Sequence, residues 1–153
     1  MTRDLRLQIE ELYTKAIEHR SSELMTKKFK DENQKKLQIA FRALSEAQLE
    51  VHAAMKRDRY YVSVKAIDLF NKIDYAINLI SKQLEGDVFN VTKFKVLEMD
   101  EIAKTVISVG DLLNLRMWTH VEPYVSSKYV IYECVSMAMH NILNVRNEIY
   151  KII

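Results

Sequence analysis

The chain has 153 residues, and 23 basic against 21 acidic side chains leave a formal net charge of +2. A chain of this length is most simply one domain, 1–153, with a core of its own. Its near balance of charge excludes a general attraction to nucleic acid or anionic lipid. Only two glycines and one proline occur, whereas sheet proteins need many tight turns built from such residues. The composition therefore favours a few long helices.

The first two helices are predicted from apolar residues that recur at helical spacing. One runs from Thr2 to about Phe29. The next follows a charged connection, has Asp31 or Asn33 as its N-cap, and ends near Arg57. Their ladders, the positions that share one helix face, are Leu5, Ile9, Leu12 and Ala16 in the first helix and Leu37, Phe41, Leu44, Gln48, Val51 and Met55 in the second.

The third and fourth helices show the same spacing. The third covers roughly 60–85, and Gly86 follows it where a left-handed helix end favours glycine. The fourth begins near Thr92 or Asp100 and contains Gly110, which indicates a kink or a close helix crossing. Their ladders are Ala66, Phe70, Ile73, Ile77, Ile80 and Leu84, and Met99, Ile102, Val106, Val109 and Leu113.

The last helix, after Pro123, carries a ladder with steps of four and three residues: Ile131, Val135, Ala138, Ile142, Val145, Ile149 and Ile152. Such spacing keeps side chains on one helix face, where they meet another helix. We therefore predict an all-α fold, an antiparallel bundle of four to five long amphipathic helices with coiled-coil-like packing. Four helices suffice for a bundle, so this ladder, together with Met139, is predicted to bind a partner protein or a second copy of the chain.

The compartment is predicted from the N-terminus and the cysteine content. The chain begins MTRDLRLQIEE and lacks the apolar run of a secretory signal. Its longest nearly uncharged stretch, 129–145, contains Glu133 and is too short and polar to cross a bilayer. The single cysteine, Cys134, fits a reducing compartment. We expect a cytoplasmic protein that does not act at a membrane.

Metal and cofactor chemistry has little support in the sequence. Di-iron bundles need Glu-x-x-His motifs, but the residues three before the histidines are Ala16, Leu49, Met117 and Met137. Magnesium-dependent helical hydrolases need paired carboxylates on two helices, and Glu98 with Glu101 forms one such pair without a second. We expect no metal, no cofactor and no small-molecule substrate.

One pair of residues has a catalytic interpretation. Helical ribonucleases of the HEPN type use an arginine followed by a histidine a turn or more later, usually at a longer spacing than the three residues between Arg116 and His120. Cys134 lacks a base on its own helix face, since Glu133 is adjacent and His140 is six residues away. An inert, buried thiol is the simpler interpretation of this cysteine.

Two basic clusters are the main electrostatic feature of the chain. They comprise Lys27, Lys28, Lys30, Lys35 and Lys36, and Lys56, Arg57 and Arg59. The clusters flank the second helix, so roughly 35–40 Å separate them. They support nucleic-acid binding as one hypothesis.

Three functions are therefore compatible with the sequence. The leading hypothesis is a non-enzymatic protein–protein interaction module, such as an adaptor, an assembly or export chaperone, or a structural subunit, acting through apolar helix faces. The alternatives are a helical nucleic-acid-binding protein and a HEPN-like ribonuclease. We also expect self-association, most simply as a dimer.

Overall fold

The computed structural model describes residues 2–62, 64–86 and 88–152; for residues 2, 3, 119 and 120 it describes the backbone alone. Within these residues the chain is all-helical. Five longer helices and a four-residue helix follow one another as α1 (Thr2–Arg20), α2 (Glu32–Arg57), α3 (Val64–Gln83), α4 (Lys93–Leu113), α5 (Met117–His120) and α6 (Tyr124–Ile152), with a 3₁₀ turn at Glu23–Met25. The predicted fold class, an all-α bundle, is confirmed.

Helices α2, α3, α4 and α6 form a closed ring in which each packs against the next, and α6 returns to α2. The pairing of α2 with α6 is antiparallel, because Lys36 lies beside Asn144 while Glu50 lies beside Ser127. At the end of α4 where Asp100 lies, the hydroxyl of Tyr150 from α6 donates to that carboxylate at 3.1 Å. The ring is therefore a four-helix bundle with alternating helix directions.

Helix α1 lies outside this ring. It packs mainly on α2 and more lightly on α3, and buries Ile9, Leu12 and Ala16. Helix α2 thus has three helical neighbours, and it contains more buried residues than any other helix. This architecture is possible because buried residues lie on more than one face of α2, so that the helix can pack against several others.

The helix ends show where local sequence signals were correct. The Asp31 carboxylate caps α2 by accepting from the backbone N–H groups of Asn33 and Gln34, and Thr92 caps α4. The first helix ends at Arg20, earlier than the predicted Phe29, because Ser22 caps a separate 3₁₀ turn.

The start of α3 is also later than predicted. It begins at Val64, because Arg59 and Tyr60 adopt the left-handed backbone conformation, with φ values of 52° and 67°, and a helix cannot continue through such residues.

The two glycines of the chain have opposite roles. Gly86 has φ +83°, as predicted for a residue that ends a helix. Gly110 lies inside α4, and a Cβ placed there would meet no atom within 4 Å, so the predicted close crossing is absent at this position.

Substituting these glycines by alanine should therefore change stability in opposite directions. Gly110→Ala should raise the free energy of unfolding by about 0.5–1 kcal/mol, because it removes chain entropy from the unfolded state without a clash. Gly86→Ala should lower it by about 1–2 kcal/mol, because alanine is strained at positive φ. Urea denaturation measures both values, and destabilisation by Gly110→Ala would contradict the open environment of this residue.

Candidate functional site

The ladder of α6 is covered within the chain itself. Its members Ile131, Val135, Ala138, Ile142, Val145 and Ile149 are all buried, and α6 packs against α2 and α4. Their burial removes the reason for which a partner was expected at this face. Of the predicted contact residues only Met139, which is half-buried, and Ile152, which is 68% exposed, remain accessible. A partner surface on α6 must therefore lie on its outer side.

The first lysine cluster lies at the beginning of α2. Lys27, Lys28 and Lys30 line a concave region of about 310 Å³ together with Phe29 and Gly86. The other two lysines are engaged elsewhere: Lys35 pairs with Glu32 at 2.9 Å, and Lys36 donates to Asn144 at 2.7 Å.

The second basic cluster lies at the opposite end of α2. Arg57 is paired with Glu50 at 3.0 Å and also donates to the hydroxyl of Ser127, while Lys56 and Arg59 are exposed. The two clusters therefore do not form one continuous basic surface within the chain. Nucleic-acid binding remains a prediction.

Arg116 and His120 belong to the region of α5. Arg116 is exposed and directly precedes this short helix. The side chain of His120 lies outside the described residues, and so the predicted ribonuclease pair does too.

A groove along α2 combines apolar and charged side chains. It encloses about 400 Å³. Helix α2 contributes Ile39, Arg42, Ala43 and Glu46; α6 contributes Val130, Glu133, Cys134 and Met137; and Arg20 and Met25 come from the end of α1 and the 3₁₀ turn. Its apolar side chains are partly open to solvent, since Ile39 is 39%, Val130 40% and Met137 56% exposed.

Carboxylates dominate the electrostatics around Cys134 in this groove. Burial, followed by the negative charges of Glu46, Glu133 and Glu50, raises the pKa of the Cys134 thiol from 9.0 to about 11. Glu50 is neutralised by Arg57, whereas Glu46 and Glu133 have no ion-pair partner among the described residues. A nucleophilic role for this thiol at neutral pH is therefore disfavoured.

A polar seam, which we define by Gln34, Gln38, Ser45, Gln48 and His52 of α2, runs beside the apolar ladder of that helix. All five side chains are buried. Gln38 donates to the carbonyls of Leu24 and Lys27 at 2.8 and 2.7 Å. Nε2 of His52 donates to the carbonyl of Ile9 at 3.0 Å. The seam therefore joins α2 to α1 and to the segment that follows it.

Asp74 of α3 links all three helices at the middle of the seam. It accepts from Nε2 of His19 at 2.7 Å, from Gln48 at 3.0 Å and from Asn78 at 3.2 Å. Burial raises the pKa of Asp74, but the hydrogen bonds from His19 and Gln48 outweigh it, and the pKa lies below the ordinary value of 3.8. A charged carboxylate therefore holds α1 in place.

The polar seam is only partly satisfied. Within the described residues, the hydroxyl of Ser45 and the carbonyl oxygens of the Gln34 and Gln48 side chains are buried without a hydrogen-bond partner. Each such atom costs about 1–3 kcal/mol relative to a satisfied one. A signal for this seam was present in the sequence, since polar residues recur every three or four positions from Gln34 to His52 with Phe41 among them, but sequence reasoning followed the apolar ladder.

In the described part of the chain, no helix has the length and apolar character needed to cross a bilayer. Among the same residues, His, Cys, Asp and Glu side chains form no group of three or more that could hold a metal ion. Comparison with protein-family models, with curated proteins and with solved structures finds no match for this chain.

The thiol of Cys134 should react slowly with alkylating agents. A pKa of about 11 instead of 9.0 leaves about 100-fold less thiolate at pH 8. Glu46→Gln combined with Glu133→Gln removes two nearby negative charges, so it should lower the pKa and speed alkylation; Glu18→Gln on α1 is the matched control. The pH–rate profile with iodoacetamide measures this, and a midpoint near 9 in the wild type would refute the assigned environment.

Stability should fall when the pH drops from about 7 to about 5, and His52 should be one cause. Burial lowers the pKa of His52 below 6.5, more than the hydrogen bond to Ile9 raises it, and Lys56 lowers it further. The unfolded chain therefore binds more protons than the folded one in this range, which favours unfolding. His52→Gln keeps an N–H donor but does not titrate, so it should weaken the pH dependence measured by urea denaturation.

The control for this experiment is His140→Gln, which changes an exposed histidine on α6. It should leave the pH dependence as in the wild type. Equal slopes in the wild type and in His52→Gln would show that His52 does not contribute.

Proposed function

We propose that the protein is a non-enzymatic protein-binding module, and that the groove between α2 and α6 receives an amphipathic helix of a partner protein. The proposal is supported above all by one observation: Ile39, Val130 and Met137 remain partly exposed around a concave surface. Next to it lie two carboxylates that have no ion-pair partner in the described part of the chain. Helix-in-groove binding uses apolar anchors one or two turns apart on the partner.

The charges of the groove restrict the partner further. Glu46 and Glu133 come from opposite helices, and both lie near Cys134. Arg20 and Arg42 lie in the same groove, and Arg42 is one helical turn from Glu46. Such a distribution favours a helix that presents a lysine or arginine to the two glutamates and an acidic residue to the arginines.

The experiment compares two variants with matched chemistry. Met137→Glu places a charge in the groove, whereas Ile107→Glu places the same charge on α4, at a residue that is 54% exposed and does not line the groove. A partner that co-purifies from the source cell should be lost with Met137→Glu and retained with Ile107→Glu. Circular dichroism should show that both variants stay folded, since both positions are exposed.

Cys134 provides a second readout in the same experiment, because it lies in the groove and is the single thiol of the chain. A bound partner helix should slow its alkylation. A partner that binds both variants equally and leaves Cys134 as reactive as before would contradict the proposed site.

A further inference from the structure

We propose that α1 is a releasable helix, and that the face of α2 and α3 beneath it accepts α1 from a second copy of the chain. This inference does not depend on a partner helix in the groove between α2 and α6, although Arg20 at the end of α1 also lines that groove. It depends on the polar seam, on the closed ring of helices and on the segment that connects α1 to α2.

The polar seam makes release of α1 easier than release of a helix from an apolar face. When α1 leaves, water can hydrate the side chains of Ser45, Gln48 and His52. Two of the atoms concerned, the Ser45 hydroxyl and the Gln48 side-chain carbonyl, have no hydrogen-bond partner among the described residues while α1 is docked, so contact with water on opening would give them one. What opposes release is the burial of Ile9, Leu12 and Ala16 and the loss of two hydrogen bonds, from His19 to Asp74 and from His52 to the carbonyl of Ile9.

The rest of the fold does not need α1. Helices α2, α3, α4 and α6 close a ring through their own contacts, and the ladders of α3, α4 and α6 are buried inside it. Release of α1 therefore leaves the contacts among the four ring helices in place, which is the condition for local opening without global unfolding. It uncovers the side of α2 that includes Phe41, whose ring lies 6.4 Å from that of His19.

The connection between α1 and α2 has a defined pivot. Beyond Ser22, Gln38 holds the carbonyls of Leu24 and Lys27, and Arg42 holds that of Met25 at 2.7 Å. The chain from the 3₁₀ turn onward is thus attached to α2, while Ser21 and Ser22 lie between this attached segment and α1. Their backbone N–H groups donate to Ile17 and His19 of α1 at 2.9 and 3.2 Å, and rotation here breaks these two hydrogen bonds. Rotation at these two residues moves α1 as a unit of about 28 Å.

A second copy of the chain is the occupant that fits the vacated face. Its α1 brings the same Ile9, Leu12 and Ala16, a carbonyl at Ile9 for His52, and a histidine for Asp74. All contacts of the closed form are therefore remade between copies. Exchange requires a change of backbone conformation at Ser21 and Ser22, and two copies lose entropy when they associate. Because a higher protein concentration offsets this loss of entropy, exchanged dimers are favoured at high concentration.

The test uses the full chain in a 1:1 mixture of copies labelled with ¹⁴N and ¹⁵N. After incubation at high protein concentration, the dimer fraction is isolated and α1 is cross-linked to α3, for which Lys15 near Asp74 provides an amine. About half of the α1–α3 cross-links in this fraction should carry both isotopes. In an exchanged dimer α1 of one copy lies on α3 of the other, and random pairing joins a ¹⁴N copy to a ¹⁵N copy in half of the dimers. Absence of a dimer, or a dimer whose α1–α3 cross-links each carry one isotope, would overturn the proposal.

Two variants with opposite effects separate release of α1 from general instability. His19→Ala removes the hydrogen bond to Asp74 and should make exchange about tenfold faster. Ser45→Ala removes an unpaired buried hydroxyl, stabilises the docked form and should slow exchange. Thr105→Ala is the control, because this buried hydroxyl donates to Glu101 within α4, and its exchange rate should equal that of the wild type. Identical rates in all three variants would also refute the role of the seam.

Discussion

The structure depends on the burial of α2 among three other helices. Its apolar residues face α3, the interior of the ring and α6, and its polar seam faces α1, the segment after it, Asp74 of α3 and Gly86. The strip that remains exposed, around Ile39 and Glu46, becomes one side of the groove next to α6. A single helix therefore organises the bundle, the docking of α1 and the candidate binding surface. If α2 rotated about its axis, the ring contacts, the docking of α1 and the groove next to α6 would all change, because the side chains of one helix move together.

The two kinds of contact around α2 differ in what they contribute. Apolar ladders stabilise the ring in proportion to the area that they bury, but they tolerate small shifts in register. Hydrogen bonds from Gln38, Gln48 and His52 demand particular partners, so they define where α1 lies along α2. The Ser45 hydroxyl of the seam, which has no hydrogen-bond partner among the described residues, adds nothing to this positioning. The seam thus favours one position of α1 without making it permanent, whereas exposed ion pairs such as Lys35–Glu32 add little.

Helical periodicity was enough to predict the fold class and most of the buried ladder positions of the long helices, because the spacing of buried residues is a local property of the chain. Ile152, which is 68% exposed, and the half-buried Leu5 are exceptions. The caps at Asp31 and Thr92 were likewise predictable, since they act within one turn. The partners of each helix were not, because they depend on which ladders meet across the ring. The α6 ladder was therefore assigned to an external partner although α2 and α4 cover it. The groove needs two helices and a turn in place, so no local pattern indicates it.

Native-state hydrogen exchange of the full chain tests the central claim, that the seam holds α1 more weakly than the ring holds itself. The backbone amides of α1 are followed beside those of α2, α3, α4 and α6 under conditions that favour the folded state. We expect the amide hydrogens of α1 to exchange through a partial opening whose free energy is lower than that of global unfolding. The amide hydrogens of the four ring helices should exchange together at a higher free energy. Exchange of α1 at the same free energy as the ring would contradict it, because α1 would then be an integral part of one cooperative unit.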